Sequence, residues 1–182
     1  MCIRDRAHFG KDKTFVVGNI GNPYTLEADK TSKDSVTVGE ISSFQLETIH
    51  TFHPVVSAIL NITPDHLNRH HTMEAYVAAK EAVASQQTKA DICVLNYDND
   101  YTRDFAGRCP ATPVLFSSHH ELENGYFLRG DKIIKSVNGE EHELMDIHKD
   151  MNLVGLCNVE NVMAAIAIAE GMPVSYTHLR AH

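Results

Sequence analysis

Polar side chains gather in two segments that each follow a predicted buried strand. The first runs from Glu40 to Leu46 (E-I-S-S-F-Q-L) and combines a carboxylate with two hydroxyls. The second runs from Asn61 to His70 and combines an acid, imidazoles and a guanidinium around a proline that fixes the turn. Because the carboxyl ends of parallel strands meet at one edge of a sheet, we expect both segments to emerge there, where α/β proteins bind ligands. This convergence favours a phosphate or metal site over two capped, solvated loops.

The first segment has two interpretations at the level of single residues. Glu40 offers the oxygen ligand that Mg²⁺ prefers. Ser42 and Ser43 open a predicted helix, so they serve equally well as plain helix caps. Spacing alone leaves both interpretations open.

A glycine-containing loop, Gly18-Asn19-Ile20-Gly21, follows the first apolar strand. Its two glycines allow a tight turn and the close approach of a ligand to the backbone, but a plain strand-to-helix turn explains them as well. It is not a G-x-G-x-x-G dinucleotide fingerprint. Gly10-Lys11 is not a phosphate-binding loop either, because Asp12 follows and position 5 is not glycine.

Four further residues are ambiguous by themselves. Lys80 is typical of a lysine on a helix surface. Asn158 and Asn161 flank the start of the last predicted helix, where amide side chains act as caps without any ligand. Cys157 is predicted to be a small buried hydrophobe rather than a nucleophile.

An alternation of strands and helices has to position these groups. Apolar runs predict strands at residues 14–17, 55–62, 92–96 and 113–116. A stretch rich in β-branched residues predicts another strand at residues 35–40. Helical patterns cover residues 44–49, 72–85 and 159–170. Residues 126–134 predict a hairpin with a Gly-Asp turn, and residues 144–147 an edge strand. This order predicts an α/β fold: a mainly parallel sheet flanked by helices, with a small antiparallel β piece.

Composition excludes several classes of function. The chain has 182 residues, with 16 Lys+Arg against 24 Asp+Glu, a net charge of −8. An acidic balance argues against binding to nucleic acid or to an anionic membrane, and no apolar run approaches the ~20 residues of a membrane span. The four cysteines lack C-x-x-C spacing and no secretion signal is recognisable, so we expect a reduced, cytoplasmic protein without a zinc ribbon.

Five of these motifs occur together in a specific order. They are Gly18–Gly21, Glu40–Glu47, Asn61–Arg69, Tyr76–Lys80 and Asn158-x-x-Asn161. In this order and spacing they resemble the central domain of the Mur ligase family, over about residues 9–174. Within the family, the S-S-F-Q-L block resembles the D-glutamate-adding members. The resemblance implies a P-loop NTPase-like fold and an ATP-dependent amide ligase of peptidoglycan synthesis.

The resemblance also implies a reaction and its partners. A carboxylate of UDP-N-acetylmuramoyl-L-alanine attacks the γ-phosphate of ATP, and the amine of D-glutamate attacks the resulting acyl phosphate. Mg²⁺ neutralises charge along the phosphates. Glu40 and His66 match magnesium-site positions, and Lys80 matches a lysine whose carbamylation turns a cation into a metal-facing anion; these three are the implied catalytic residues. The implied ligand contacts are Asn19, Ser42, Gln45 and His66 for the uridine-nucleotide substrate, and Asn158 and Asn161 for the adenine of ATP.

The chain departs from the family pattern in several respects. Asn68 stands where the family often has Asp, and Cys157 where it often has His. Neither the family's phosphate loop nor its two other domains is recognisable, so we expect residues 7–175 to be a partial central domain. Residues 1–6 and 176–182 are expected to be foreign flanks that pack poorly. The resulting prediction is a monomer that is inactive alone.

Two alternative interpretations remain. One is another Mur-type ligase, such as a folylpolyglutamate synthase-like enzyme, although the S-S-F-Q-L block argues against it. The other is a non-catalytic α/β nucleotide-binding module, which the missing phosphate loop favours.

Overall fold

The computed structural model describes residues 14–151 and 155–172. Within these residues the strands form two separate sheets, one of two strands and one of six. None of the described helices is both long enough and apolar enough to cross a membrane. The chain divides into two compact units, one containing residues 14–52 and 63–83, the other residues 53–62 and the described residues from 84 onward.

The first unit is built on a parallel pair of strands. Strand β1 (Thr14–Gly18) pairs with β2 (Val36–Glu40) along their whole length. The helices of this unit are short: α1 (Tyr24–Glu27), a 3₁₀ turn (Ala28–Lys30), α2 (Ser43–Leu46), α3 (Leu67–His70) and α4 (Met73–Glu81).

The second unit contains the six-stranded sheet. Its elements are β3 (Val56–Ile59), β4 (Ile92–Asn96), α5 (Asp100–Ala106), β5 (Thr112–Ser117), β6 (Gly125–Arg129), β7 (Lys132–Val137), β8 (Glu140–Asp146), α6 (Ile147–Asp150) and α7 (Leu156–Gly171). The sheet order is β3-β4-β5-β6-β7-β8. The pairings from β3 to β6 are parallel, and those from β6 to β8 are antiparallel. The α/β class and the small antiparallel piece are therefore confirmed.

The hydrophobic core of the second unit lies between the sheet and α7. Val94 and Phe116 come from neighbouring parallel strands, Ile133 comes from the hairpin, and all three are fully buried. Met163 lies on the buried side of α7 and is also without solvent exposure. Burial of such side chains is the main favourable term in folding, so this core fixes α7 against the parallel strands.

The expectation that β2 and β3 end at one edge of one sheet is wrong. Among the described strands β2 pairs only with β1, whereas β3 is an edge strand of the other sheet. The segment that follows β3 nevertheless joins β2 in the first unit, because α3 and α4 belong there. Helix packing, rather than a shared sheet edge, brings the two polar segments together.

Several boundaries differ from their predictions for local reasons. Strand β3 ends at Ile59 rather than at residue 62, and the side-chain amide of Asn99 instead donates to the carbonyl of Ile62 at 2.9 Å. The helix predicted over 72–85 is α4, capped by Thr72, followed by a 3₁₀ turn at Ala82–Ala84. Strand β8 stops at Asp146 because that side chain caps α6.

The predicted hairpin is present as β6 and β7, with Gly130 at a φ of +56° in its turn. The predicted flanks at residues 1–6 and 176–182 lie outside the described residues. The proposed domain limits of 7–175 therefore stay a prediction.

Candidate functional site

The loop between β1 and α1 is held against the end of β2. The backbone N–H of Asn19 donates to the carbonyl of Glu40 at 2.8 Å, and its side-chain amide donates to Oε1 of Glu40 at 3.2 Å. Gly18 makes this approach possible: its φ is +102°, and a Cβ there would lie 2.1 Å from the Glu40 carbonyl oxygen. The first and second sequence motifs are therefore in direct contact.

Two predicted substrate contacts are joined by a capping box at α2. The hydroxyl of Ser42 accepts from the backbone N–H of Gln45 at 3.3 Å, and the backbone N–H of Ser42 donates to Oε1 of Gln45 at 2.9 Å. The helix-cap interpretation of Ser42 is thus confirmed. The cap fixes the conformation of both side chains and leaves the exposed amide N–H₂ of Gln45 available to solvent or ligand.

A cavity of about 560 Å³ lies beside this loop in the first unit. Its lining includes Asn19 and Gln45, two of the four predicted contacts to the uridine nucleotide, together with Gly18, Gly21, Pro23, Tyr24 and Ile41. The cavity is open to solvent and mainly apolar, with two side-chain amides on its lining. The structure therefore gathers these two residues on one concave surface.

A buried histidine anchors α3 to α2. Nδ1 of His70 lies 3.2 Å from Oε1 of Glu47, and Nε2 lies 3.0 Å from the hydroxyl of Ser43. A neutral imidazole satisfies both contacts when Nδ1–H donates to the carboxylate and Nε2 accepts from the hydroxyl. Arg69 adds a 2.8 Å ion pair to the other oxygen of Glu47. The hydrogen bond and the charge of the Arg69 guanidinium hold the pKa of Glu47 below its usual value.

Ring contacts connect the segment after β3 to the helix that carries Lys80. The Phe44 ring lies 4.9 Å from the His66 ring and 5.5 Å from the His70 ring, the second pair being nearly parallel. The His70 ring in turn lies 5.2 Å from Tyr76, and the ammonium of Lys80 lies 5.7 Å from the Tyr76 ring centre. His66 and Lys80, which are fourteen residues apart in sequence, are thus linked by three intervening rings.

His66 sits in an uncommon backbone conformation. Its φ of +53° is left-handed, which is unfavourable for a residue with a Cβ. The backbone N–H of His66 donates to Oδ1 of Asp65 at 2.8 Å, and its Nε2 lies 3.3 Å from Oδ2 of the same carboxylate. Strained residues cluster at functional sites, and here the strain leaves the imidazole half exposed beside Phe44.

Lys80 is partly buried on α4. Among the described residues its ammonium forms no hydrogen bond or ion pair, and its one specific contact is the face of Tyr76. Burial, with a smaller contribution from the Asp65 charge, raises the pKa of Tyr76, so that phenol stays neutral beside the lysine.

The two predicted adenine contacts lie in the second unit. Asn158 and Asn161 occupy the first two turns of α7 and are both half-buried. Their interpretation as caps is wrong, because the cap residue of α7 is Gly155 and it provides no side-chain hydrogen bond. Residues three apart share one face of a helix, so the two amides point to the same side. The expectation for Cys157 is also wrong, since this residue is exposed.

The sequence did not show which residues join the motifs to one another. Five residues make these contacts, and all lie in the recognised segments: Ser43, Phe44, Glu47, His70 and Tyr76. Their partners are far away along the chain, and ring contacts arise only when two helices pack, so spacing gave no signal of them. Ser43 alone was a candidate from the sequence, as a ligand group or a helix cap.

Residues 7–169 match the family model of the Mur ligase middle domain. This match covers most of the chain. The chain belongs to the Mur ligase family. The interpretation drawn from the five motifs is therefore confirmed.

Two relatives that share one name are similar in sequence to most of this chain. The UDP-N-acetylmuramoylalanine–D-glutamate ligase of Lachnospira eligens is 57% identical over 164 residues, which is 89% of this chain and 36% of that protein. The ligase of the same name from Lachnoclostridium phytofermentans is 55% identical over 166 residues, covering 91% of this chain and again 36% of the relative. The chain therefore spans about 36% of the length of these relatives.

Solved structures support the fold. MurF from Acinetobacter baumannii superposes with a TM-score of 0.65 at 15% identity, covering 94% of this chain and 40% of that chain. MurF ligase from Thermotoga maritima, solved in complex with ADP, gives a TM-score of 0.59 at 14% identity, covering 94% and 43%. At such low identity this similarity concerns the fold alone.

Proposed function

We propose that this chain is the central part of an ATP-dependent, ADP-forming ligase that adds D-glutamate to UDP-N-acetylmuramoyl-L-alanine in peptidoglycan synthesis. The observation that carries the proposal is the 57% identity with a D-glutamate ligase over 164 residues. Contacts between the motifs in the first unit support it, since they give these residues one connected arrangement. The proposed domain is residues 7–175.

The reaction needs a substrate carboxylate, the γ-phosphate of ATP and the amine of D-glutamate to be held in register. The carboxylate attacks the γ-phosphate and releases ADP; the amine then attacks the acyl phosphate and phosphate leaves. In the proposal Asn19, Ser42, Gln45 and His66 contact the uridine-nucleotide substrate, and the cavity beside Asn19 provides the concave surface. The matched amides Asn158 and Asn161 contact the adenine of ATP from one face of α7.

The residues of the first unit fit a magnesium ion by their donor chemistry. Oε1 of Glu40 accepts from Asn19, and Oε2 accepts no hydrogen bond from any described residue, which leaves one exposed carboxylate oxygen at the end of β2. Mg²⁺ is usually bound by one or two carboxylates together with substrate phosphates and water. When bound, it would neutralise negative charge on the phosphates.

Glu40, His66 and Lys80 are the proposed catalytic residues, and each has a distinct role. Glu40 supplies a carboxylate, oriented by Asn19. Lys80 as a carbamate supplies a second anion, which is consistent with an ammonium that has no anionic partner among the described residues. His66 is held beside Phe44 and supplies the third ligand.

A chimera tests the activity. The segment of the Lachnospira eligens ligase that matches this chain is replaced by residues 7–175, and phosphate release is measured with ATP and UDP-N-acetylmuramoyl-L-alanine. We expect release that depends on D-glutamate and not on L-lysine or L-glutamate. A folded chimera that is inactive, or one that prefers another amino acid, would contradict the proposal. The chain alone should release no phosphate, because it spans about 36% of the relatives' length.

Variants of the chimera test the roles of the carboxylate and the lysine. Glu40→Ala and Lys80→Arg should each lower the rate by at least about 100-fold, a typical loss for a group that stabilises transition-state charge. Glu140→Ala is the matched control, because this glutamate is exposed on β8, and it should keep the parental rate. Labelling with ¹³C-bicarbonate should give a carbamate NMR signal that Lys80→Arg removes. A parental rate in Lys80→Arg would contradict the role of Lys80.

The alternatives predict different outcomes. A folylpolyglutamate synthase-like ligase would make the chimera independent of the uridine nucleotide, and the names of the relatives argue against it. A non-catalytic module would bind ATP in calorimetry with the chain alone, yet leave the chimera inactive.

A further inference from the structure

A second polar cluster lies in the six-stranded unit, where β4 and β5 end. Asp98 follows β4, His119 follows β5, and Glu160 lies on the first turns of α7. One donor atom from each of the three side chains lies within 4.8 Å of the other two. The carboxyl ends of parallel strands are the usual place for ligands in α/β proteins. None of the catalytic or ligand-binding roles proposed above uses these three residues.

Two carboxylates of this cluster share one hydroxyl. Ser118 Oγ lies 2.6 Å from Oε1 of Glu160 and 3.2 Å from Oδ2 of Asp98. A serine hydroxyl carries a single proton, so it can donate to only one of the two anions at a time, and the shorter contact favours Glu160. The carboxylates of Asp98 and Glu160 therefore meet at one hydroxyl, and a cation bound between them would be attracted by both.

Asp98 is held in a fixed orientation. Its side chain is only 10% exposed. Its Oδ1 accepts from the Ser117 hydroxyl at 2.6 Å and lies 2.8 Å from Nδ1 of His120, and its Oδ2 accepts from the backbone N–H of Ser118 at 2.7 Å. The carboxylate is thus oriented before any ligand arrives, which lowers the cost of binding.

His119 completes the donor set and decides the type of ion. The imidazole is exposed and forms no hydrogen bond or ion pair with another residue in the described part of the chain. An imidazole with two carboxylates suits Zn²⁺, which binds nitrogen as readily as oxygen. Three protein ligands leave the fourth tetrahedral position for water.

We propose that Asp98, His119 and Glu160 form a binding site for one Zn²⁺ ion, separate from the magnesium site of the first unit. The ion ties the start of α7 to the loops that follow β4 and β5. It brings donor atoms that now lie within 4.8 Å of one another to about 3.3–3.5 Å, the separation set by tetrahedral bonds of about 2.0–2.2 Å. Because the ion binds the folded chain only, it stabilises the fold by mass action.

Calorimetric titration of the whole chain with ZnCl₂ tests the site, and thermal unfolding with and without Zn²⁺ gives a second measurement. We expect one equivalent to bind and to raise the unfolding midpoint, while MgCl₂ at the same concentration has no such effect. His119→Ala and Glu160→Gln should each weaken Zn²⁺ binding by at least about 10-fold and abolish the thermal shift. His142→Ala is the matched control, because this histidine is exposed on β8 of the same unit; it should bind as the parent does.

The proposal is overturned if the chain binds no Zn²⁺, or if His119→Ala and Glu160→Gln bind it as tightly as the parent. An equal loss in His142→Ala would also overturn it, since binding would then be spread over surface histidines. Both test variants replace solvent-accessible side chains, and far-UV circular dichroism of the metal-free proteins checks that they fold. Should Glu160→Gln unfold, His119→Ala alone decides, because the His119 side chain is exposed and forms no hydrogen bond or ion pair with another described residue.

Discussion

At the scale of single residues, the contact between the loop at Gly18 and the end of β2 sets a strict requirement. Gly18 has a φ of +102° and lies against the backbone of Glu40. Gly21 has a similarly positive φ of +91°, but a Cβ there would meet nothing within 4 Å. Alanine substitutions at these two glycines therefore distinguish two free-energy costs. At Gly18 the new Cβ meets both a steric clash and an unfavourable φ, whereas at Gly21 it meets the unfavourable φ alone.

Gly18→Ala should destabilise the chain by about 2–4 kcal/mol, because a Cβ at 2.1 Å from a carbonyl oxygen forces β1 and β2 apart. Gly21→Ala should cost about 1–2 kcal/mol through its φ alone. Urea unfolding monitored by circular dichroism measures both. Equal costs for the two variants would show that the close approach to Glu40 does not matter.

Asp146 makes the stability depend on pH at acidic values. A hydrogen bond from Lys132 outweighs burial and lowers the pKa of Asp146 from 3.8 to about 2. Since the folded pKa lies below the unfolded one, ionised Asp146 stabilises the fold above about pH 4, and this contribution is lost as the pH falls towards 2.

Asp146→Asn separates this charge from the cap of α6, because asparagine caps helices as well as aspartate does. The variant should unfold at a lower temperature than the parent at pH 7, and at the same temperature as the parent at pH 2. Thermal unfolding between pH 7 and pH 2 measures the difference. A gap between variant and parent that persists unchanged at pH 2 would contradict the assignment.

At the scale of elements, α7 packs against the sheet and also carries polar side chains. One face buries Val159, Val162 and Met163 against the sheet. Its first two turns also carry Asn158, Glu160 and Asn161, which the proposals assign to ligands. Firm packing of the apolar face holds the polar side chains in place.

Met163→Ala should lower the free energy of unfolding by about 2–5 kcal/mol, the usual cost of truncating a fully buried side chain. Leu156→Ala on the same helix is the control; this side chain is 41% exposed and should cost less than about 1 kcal/mol. Urea unfolding compares them. If the two costs agree, α7 is not anchored by this core.

At the scale of the whole molecule, burial is unevenly distributed between the two units. Strand β4 lies between β3 and β5, and Val94 and Leu95 are without exposure. Strand β2 pairs only with β1 among the described strands, and three of its five residues are exposed. Amides protected by buried neighbours on both sides open only in larger unfolding events.

Hydrogen exchange followed by mass spectrometry should therefore find β4 much more protected than β2, with exchange slower by at least about 100-fold. Peptides covering Ile92–Asn96 and Val36–Glu40 allow the comparison within one sample. Equal protection of the two strands would contradict the expectation that β2, which pairs only with β1 among the described strands, opens more easily than β4.

The sequence by itself determined the elements and the family. Apolar runs of four or five residues predicted β1, β4 and β5, because burial on both faces leaves a continuous hydrophobic signal. Strand β2 was predicted from its β-branched residues instead. Five motifs in order predicted the Mur ligase family, and the family match confirmed it. The cap at Thr72 and the turn at Gly130 were also predictable, since both depend on residues a few positions apart.

Only the tertiary structure decided which distant groups meet. It separated β2 from the sheet of β3, and it joined His66 to Lys80 through the rings of Phe44, His70 and Tyr76. It also gathered Asp98, His119 and Glu160, three residues that no spacing relates. The physical reason is that periodicity records the burial of a residue's own element, whereas a site depends on how separate elements pack, and packing leaves no regular mark on the sequence.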